Sequence, residues 1–302
     1  MTAPTRADGP LPGRSGLPGD VREVGEVGEV GEVGEVGTVI TTWPADAVVT
    51  ALAALRAARP LVHLYTNPVA LALTANALTA LGAVPAARAT VDRPDPGTVG
   101  PAAVLVNLGV RRADSLPVWL AAAEAANARG VPWVLDPIGA NGPYPAARAV
   151  VADLLDLGPA VVRGNASEIV ALAGGPRTGR GPDSALDSAD AGPAARSLAA
   201  ARGLVVAVSG VADLVTDGHR TVLVPGGHPW MPLVSALGCT HGALVAAFAS
   251  VAPPLEAAVA ASAVLARAGE IAAARAAGPG TLVPHLVDAL HALGTDPTQE
   301  TS

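Results

Sequence analysis

From Trp43 onward, short aliphatic runs bounded by turn residues alternate with longer Ala- and Leu-rich stretches that carry intermittent charges. The short runs predict buried strands and the longer stretches predict helices. Helices are expected over Ala45–Ala58, Val69–Leu81, Ala113–Arg129, Ala146–Leu157, Asn165–Ala173 and Pro193–Ala201. Between them fall strands at Leu61–Tyr65, Ala102–Asn107, Trp133–Asp136, Ala160–Arg163 and Leu204–Ser209. Val211–Val215 and Thr221–Val224 flank Asp217-Gly218, a hairpin signal. Three helices close the chain, at Thr240–Val251, Leu255–Ala276 and Leu282–Leu293. Such alternation predicts an α/β fold, a mainly parallel central sheet with helices on both faces.

Two stretches break the pattern. Residues 23–37 are five copies of Glu-Val-Gly, which bury too little apolar surface to offset ordering entropy. Residues 1–40 are therefore expected to be a disordered low-complexity tail, 41–296 a single domain and 297–302 a disordered C-terminus. Residues 174–192, rich in Gly, Ser and Asp, predict a flexible insertion within the domain.

Composition narrows the chemistry. With Trp 4, Tyr 2 and Phe 1, the core must be built from Ala, Val and Leu. The single cysteine, Cys239, excludes an intramolecular disulfide and a cysteine-rich zinc site. All 19 basic residues are Arg, which excludes a P-loop and Schiff-base chemistry. Residues 1–37 hold −4 of the net charge of −7, and no basic stripe or aromatic platform points to nucleic acid. The start of the chain lacks an apolar signal segment. The most apolar stretch, Cys239–Val251, falls short of the roughly 20 residues that span a bilayer. A cytoplasmic protein with no membrane partner is expected.

Ligands of parallel α/β sheets bind beyond the carboxyl ends of the strands. Those ends read Tyr65-Thr66-Asn67-Pro68, Asn107-Leu108-Gly109, Asp136-Pro137-Ile138-Gly139, Arg163-Gly164-Asn165-Ala166-Ser167-Glu168 and Ser209-Gly210. Each has a local explanation, since Asp-Pro initiates turns and Asn165 with Glu168 approaches a capping box. Together they supply what phosphoryl transfer uses. Asp136 and Glu168 are oxygen donors for Mg²⁺, and Arg163 is a fixed charge for a polyphosphate. Gly238 presents backbone N–H groups where a helix begins. Cys239 stands where a helix dipole favours thiolate, and it either takes a proton from a substrate hydroxyl or only lines the pocket.

Several ordered motifs carry a resemblance: TNPVALALTANALTALGAVP (66–85), LVNLG (105–109), VLDPIGA (134–140), VVRGNASEI (161–169), VAVSG (206–210) and GGHPWMPLVSALGC (226–239). In these the chain resembles the hydroxyethylthiazole kinases, of the ribokinase-like superfamily, from about Leu61 to Leu293. The resemblance implies a ribokinase-like fold and ATP-dependent phosphorylation of the primary hydroxyl of 4-methyl-5-(2-hydroxyethyl)thiazole in thiamine biosynthesis. It also implies Mg²⁺ and a homotrimer with active sites between subunits. By position it implies ATP contacts at Arg163, Ser209 and Gly238, metal-side acids at Asp136 and Glu168, and Cys239 as the catalytic residue. Substrate contacts fall at Asn67, Ala87 and Ala236. The chain departs from the family pattern where Ala87 stands for a Met, Ala236-Leu237 for Gly-Thr, Ala72 for an Asn and Val110 for a Thr. A kinase or ADP-dependent dehydratase of the same fold with another substrate, or a non-catalytic nucleotide-binding paralogue, would share the phosphate-side pattern.

Overall fold

The computed structural model describes residues 38–91, 99–109, 115–142, 145–176 and 186–294. The Glu-Val-Gly repeat, Val110, residues 177–185 of the expected insertion and the expected C-terminal tail lie outside the described residues.

Nine strands form one sheet. They are β1 (Thr38–Ile40), β2 (Leu61–Tyr65), β3 (Val84–Ala87), β4 (Ala103–Asn107), β5 (Trp133–Asp136), β6 (Val161–Asn165), β7 (Val205–Ser209), β8 (Ala212–Thr216) and β9 (Thr221–Pro225). Their order is β1-β9-β8-β7-β6-β5-β4-β2-β3, and only β8 runs antiparallel to its neighbours. The carboxyl ends of β2, β4, β5, β6 and β7 therefore share one rim of the sheet.

Among the described residues, nine α-helices cover the two faces. On one lie α1 (Asp46–Ala58), α2 (Pro68–Leu81), α7 (Leu237–Ala249), α8 (Pro254–Arg275) and α9 (Pro279–Ala292). On the other lie α3 (Ser115–Asn127), α4 (Pro145–Asp156), α5 (Ala166–Leu172) and α6 (Gly192–Arg202). Buried Ala, Val and Leu dominate both layers, with Trp133 and Phe248 as the largest buried side chains. The helix α7 is apolar nearly all round, as a helix enclosed by other elements must be. It packs on β4 and β5 and is flanked by α2 and α8. Small residues let it approach closely. A Cβ on Gly242 would lie 3.5 Å from Asp136 Oδ2.

Capping fixes where the functional helices start. Asn67 caps α2, its Oδ1 accepting from Ala70 N at 3.1 Å, with Pro68 in the first helical position. Asn165 and Glu168 form a full capping box at α5, as their spacing suggests.

Two strands escape the sequence pattern. β3 is only Val-Pro-Ala-Ala, and its Pro85 is compatible with a strand because β3 lies at the sheet edge. β1 pairs with β9, so the domain takes in Thr38–Ile40, which the boundary at residue 40 had left in the tail. The third difference bears on chemistry: α7 begins at Leu237 rather than Thr240, placing Gly238 and Cys239 in its first turn.

Candidate active site

A chain of side-chain hydrogen bonds crosses three strand ends to reach α7. Asn107, ending β4, and Asp136, ending β5, are directly opposed in the parallel ladder. Asn107 Nδ2 donates to Asp136 Oδ2 at 2.7 Å, and Asn67 Nδ2 donates to Asn107 Oδ1 at 2.9 Å. Asn67 Nδ2 also lies 3.8 Å from Cys239 Sγ. Backbone donors settle both amide orientations. Ala70 N donates to Asn67 Oδ1, and Gly109 N donates to Asn107 Oδ1 at 3.1 Å. Gly109 is required here because a Cβ would fall 2.3 Å from Asn67 Nδ2. All four linked side chains are buried.

Burial governs the protonation of the two reactive ends. It pushes the Asp136 carboxyl up to about 7, with Glu168 adding to the rise; Arg163 and the bond from Asn107 work against it. The Cys239 thiol is pushed up to about 11, chiefly by burial and then by the Asp136 charge. A thiolate favoured by the helix start is thus not what the structure shows, because desolvation outweighs the dipole.

The residues expected on the phosphate side lie along the same rim. Arg163, on β6, is 8% exposed, and its guanidinium sits under the first turn of α7. A Cβ on Gly238 would lie 2.8 Å from Arg163 Nη1, so only Gly lets the two meet. Ser209 ends β7 beside Asn165, with its hydroxyl 3.5 Å from the Gly164 carbonyl. Glu168 accepts Asn165 N at 2.9 Å on one oxygen and Gly139 N at 2.7 Å on the other. It therefore ties the turn after Asp136 to the start of α5.

Asn67, Cys239, Gly238, Arg163, Asp136 and Glu168 are thus brought together. Ala236 caps α7 with φ +71°, a left-handed conformation costly for a residue with a Cβ. Ala87 is not part of the bonded cluster. It is exposed at the end of the edge strand β3, opposite Leu64. His228 is a turn residue, accepting Trp230 N at 3.2 Å, and the two rings meet edge to face.

Four residues escaped the assignment of roles. Asn107 sat in a named strand end, but only the β4–β5 register reveals its place. Asn141, 2% exposed in the turn after Asp136, has neither amide atom partnered among the described residues. Buried His241 and partly exposed Asp213 belong to a polar group around Arg163. For His241 the signal was present: an imidazole inside an otherwise apolar helix needs a partner.

No described cluster of three or more His, Cys, Asp or Glu side chains forms a metal cage. Mg²⁺ does not need one, since it is held by one or two carboxylates together with waters and phosphate oxygens. Asp136, a buried carboxylate, and the unpartnered Asn141 amide fit that demand.

Comparisons with known proteins agree on one family. Residues 52–296 match the profile of the Hydroxyethylthiazole kinase family. A hydroxyethylthiazole kinase of Gemmatimonas aurantiaca is 47% identical over 259 residues, covering 84% of this chain and 92% of that protein. One from Cereibacter sphaeroides (strain KD131) is 45% identical over 255 residues, covering 83% and 95%. Among solved structures, the hydroxyethylthiazole kinase protein of Pyrococcus horikoshii OT3 superposes with a TM-score of 0.71 at 33% identity, covering 82% of this chain and 93% of that one. A Staphylococcus aureus pyridoxal kinase in complex with AMP-PCP and pyridoxal reaches a TM-score of 0.52 at 18% identity, covering 70% and 87%. That last likeness bears on the fold alone.

Proposed function

The chain belongs to the hydroxyethylthiazole kinase family, and from that premise we propose how its residues phosphorylate the primary hydroxyl of 4-methyl-5-(2-hydroxyethyl)thiazole. The protein is a phosphotransferase with an alcohol acceptor, and ATP is the donor. The observation that carries the division of labour is the meeting of α7 with the strand ends. Gly238 lies over Arg163, and Cys239 touches the Asn67–Asn107–Asp136 chain.

Arg163, Ser209 and the backbone N–H groups at Gly238 bind the polyphosphate, the task that a Lys performs in other folds. Asp136 and Glu168 would hold Mg²⁺, with the unpartnered Asn141 amide as a further oxygen donor. Glu168, whose oxygens each accept one backbone N–H and keep a further lone pair, would complete the metal side. When bound, Mg²⁺ neutralises charge on the phosphate oxygens. Asn67, Ala87 and Ala236 line the acceptor side, where Thr66 Oγ1 is a buried hydroxyl without a partner among the described residues. Cys239 packs against the acceptor hydroxyl as a protonated thiol, and the hydroxyl proton passes to an oxygen of the transferred phosphoryl group as the new O–P bond forms. A loose phosphoryl-transfer transition state puts positioning ahead of base strength, and a thiol raised to about 11 is compatible with that.

The homotrimer belongs to this reading, supported by exposed Val84 and Ala87 on the edge strand β3. A cytoplasmic location without membrane or nucleic-acid partners also belongs to it. α8 is long and apolar enough to cross a membrane, but 67% of its most apolar window is buried inside the domain. The reading is tested by coupled ADP release with Mg-ATP across thiazole, pyrimidine and sugar alcohols. Turnover dependent on the thiazole alcohol is expected. Preference for another acceptor would overturn the substrate, and failure to bind ATP would overturn the class.

A further inference from the structure

Arg163 is a buried cation that makes no salt bridge among the described residues. Its nearest support is neutral. Arg163 Nε donates to His241 Nδ1 at 3.3 Å, from β6 to the second turn of α7. That bond requires Nδ1 to be free of a proton, so the proton of the neutral ring lies on Nε2. Nε2 faces Ser262 Oγ of α8 at 3.1 Å and donates to it. The Asp213 carboxylate of β8 lies beside Ser262, with its Oδ2 3.8 Å from His241 Nδ1. Asp213 Oδ1 accepts Gly210 N at 3.1 Å, directly after Ser209. Hydrogen bonds thus run from Arg163 through His241 to Ser262, and Asp213 stands between His241 and the turn that carries Ser209. His241 and Ser262 are 2% and 1% exposed, and burial with the nearby Arg163 charge drives the imidazole well below its usual range.

We propose that His241 is a positioning residue for nucleotide binding. Its Nδ1 fixes Arg163 Nε from behind, so that the Nη edge of the guanidinium is held beneath Gly238 for the polyphosphate. The choice of a neutral partner matters. A carboxylate in this place would pair with Arg163 directly, whereas an imidazole orients it without adding to the Asp136 and Asp213 charges already near it. The inference rests on the kinase reading above for the identity of that anion.

The test uses the full chain with His241→Asn, His241→Gln and His241→Leu. The Asn amide oxygen can take the place of Nδ1, whereas the Gln amide reaches only the place of Nε2. Each protein is measured for ATP affinity by calorimetry without acceptor, and for kcat and both KM values in turnover. The Gln and Leu variants are expected to weaken ATP binding and raise the ATP KM about 10- to 30-fold, the weight of one hydrogen bond to a charged group, with the thiazole KM moved less than about 2-fold. His241→Asn is expected to recover ATP affinity to within about 3-fold of the parent. Equal behaviour of Asn and Gln, or parallel changes in both KM values, would overturn the assignment and leave His241 a core residue. If the Leu variant fails to fold, the Asn–Gln contrast decides alone. Parent protein that binds ATP but does not phosphorylate the thiazole would contradict the substrate while the contrast still tests His241. Parent protein that does not bind ATP contradicts both.

Discussion

Replacing Asn107 by Leu removes the middle of the polar chain while keeping the branched shape of the side chain. Two buried groups then lose partners: Asn67 Nδ2 keeps only the 3.8 Å contact to Cys239 Sγ, and Asp136 Oδ2 loses its 2.7 Å donor. Leaving one buried polar group unsatisfied costs about 1–3 kcal/mol, and more when the group is charged. Gly109 N also loses its acceptor, but it lies at the rim and water can replace it. The sum is about 3 kcal/mol, offset only slightly by the apolar Leu. At about 2–4 °C per kcal/mol for a domain of this size, the melting temperature should fall by roughly 6–12 °C. The assay is urea unfolding at pH 8, above the Asp136 value of about 7, so that the carboxylate is mostly charged. The urea slope should stay constant, and kcat should be measured in parallel. A loss below about 0.5 kcal/mol, within the range of an ordinary surface substitution, would refute the claim that this chain is a fully engaged buried network.

Other outcomes follow from the same geometry. Ala236→Gly relieves the φ of +71° and, after the extra freedom of the unfolded chain, should raise stability by about 0.5–1 kcal/mol in urea unfolding; destabilisation would contradict the strain. Gly238→Ala puts a Cβ 2.8 Å from Arg163 Nη1 and should raise the ATP KM about 10-fold while leaving the thiazole KM nearly unchanged. In metal-free protein at pH 8, Cys239 should react with a thiol reagent roughly two hundredfold more slowly than a free cysteine, from thiolate fraction alone; labelling at the free-thiol rate would contradict a value of about 11. His241 is held neutral below its usual range, so the unfolded chain binds a proton that the native one refuses as pH falls through about 6.5. Stability is therefore lost on the acid side, and from pH 7 to pH 5 the parent should lose more than His241→Asn; equal losses would place the proton elsewhere.

The elements that carry the site were legible because each has a local signature. The run Leu61–Tyr65 ends at an Asn-Pro that caps the next helix, and Asn165 with Glu168 announces the start of α5 three residues ahead. β3 and β1 were not legible. A four-residue edge strand containing Pro85, and a three-residue strand beside a repeat, have no period long enough to detect. Within the site, residue types at strand ends pointed to Arg163, Asp136 and Glu168. That Asn107 lies against Asp136 depends on the β4–β5 register, a long-range fact absent from either segment alone. The Cys239 environment was misjudged for a related reason. The dipole argument uses only the helix that holds the residue, whereas its burial comes from the elements packed around it. His241 lay two residues beyond Cys239, but its partners come from β6, α8 and β8.

The central claim is transfer of the ATP γ-phosphate to the thiazole hydroxyl, and phosphorus NMR of purified protein with Mg-ATP and 4-methyl-5-(2-hydroxyethyl)thiazole tests it most directly. A phosphomonoester signal that grows in step with ADP, one for one, and that is lost in Arg163→Ala is the predicted result. ADP appearing with free phosphate and no thiazole phosphate, or no turnover at all, would contradict it.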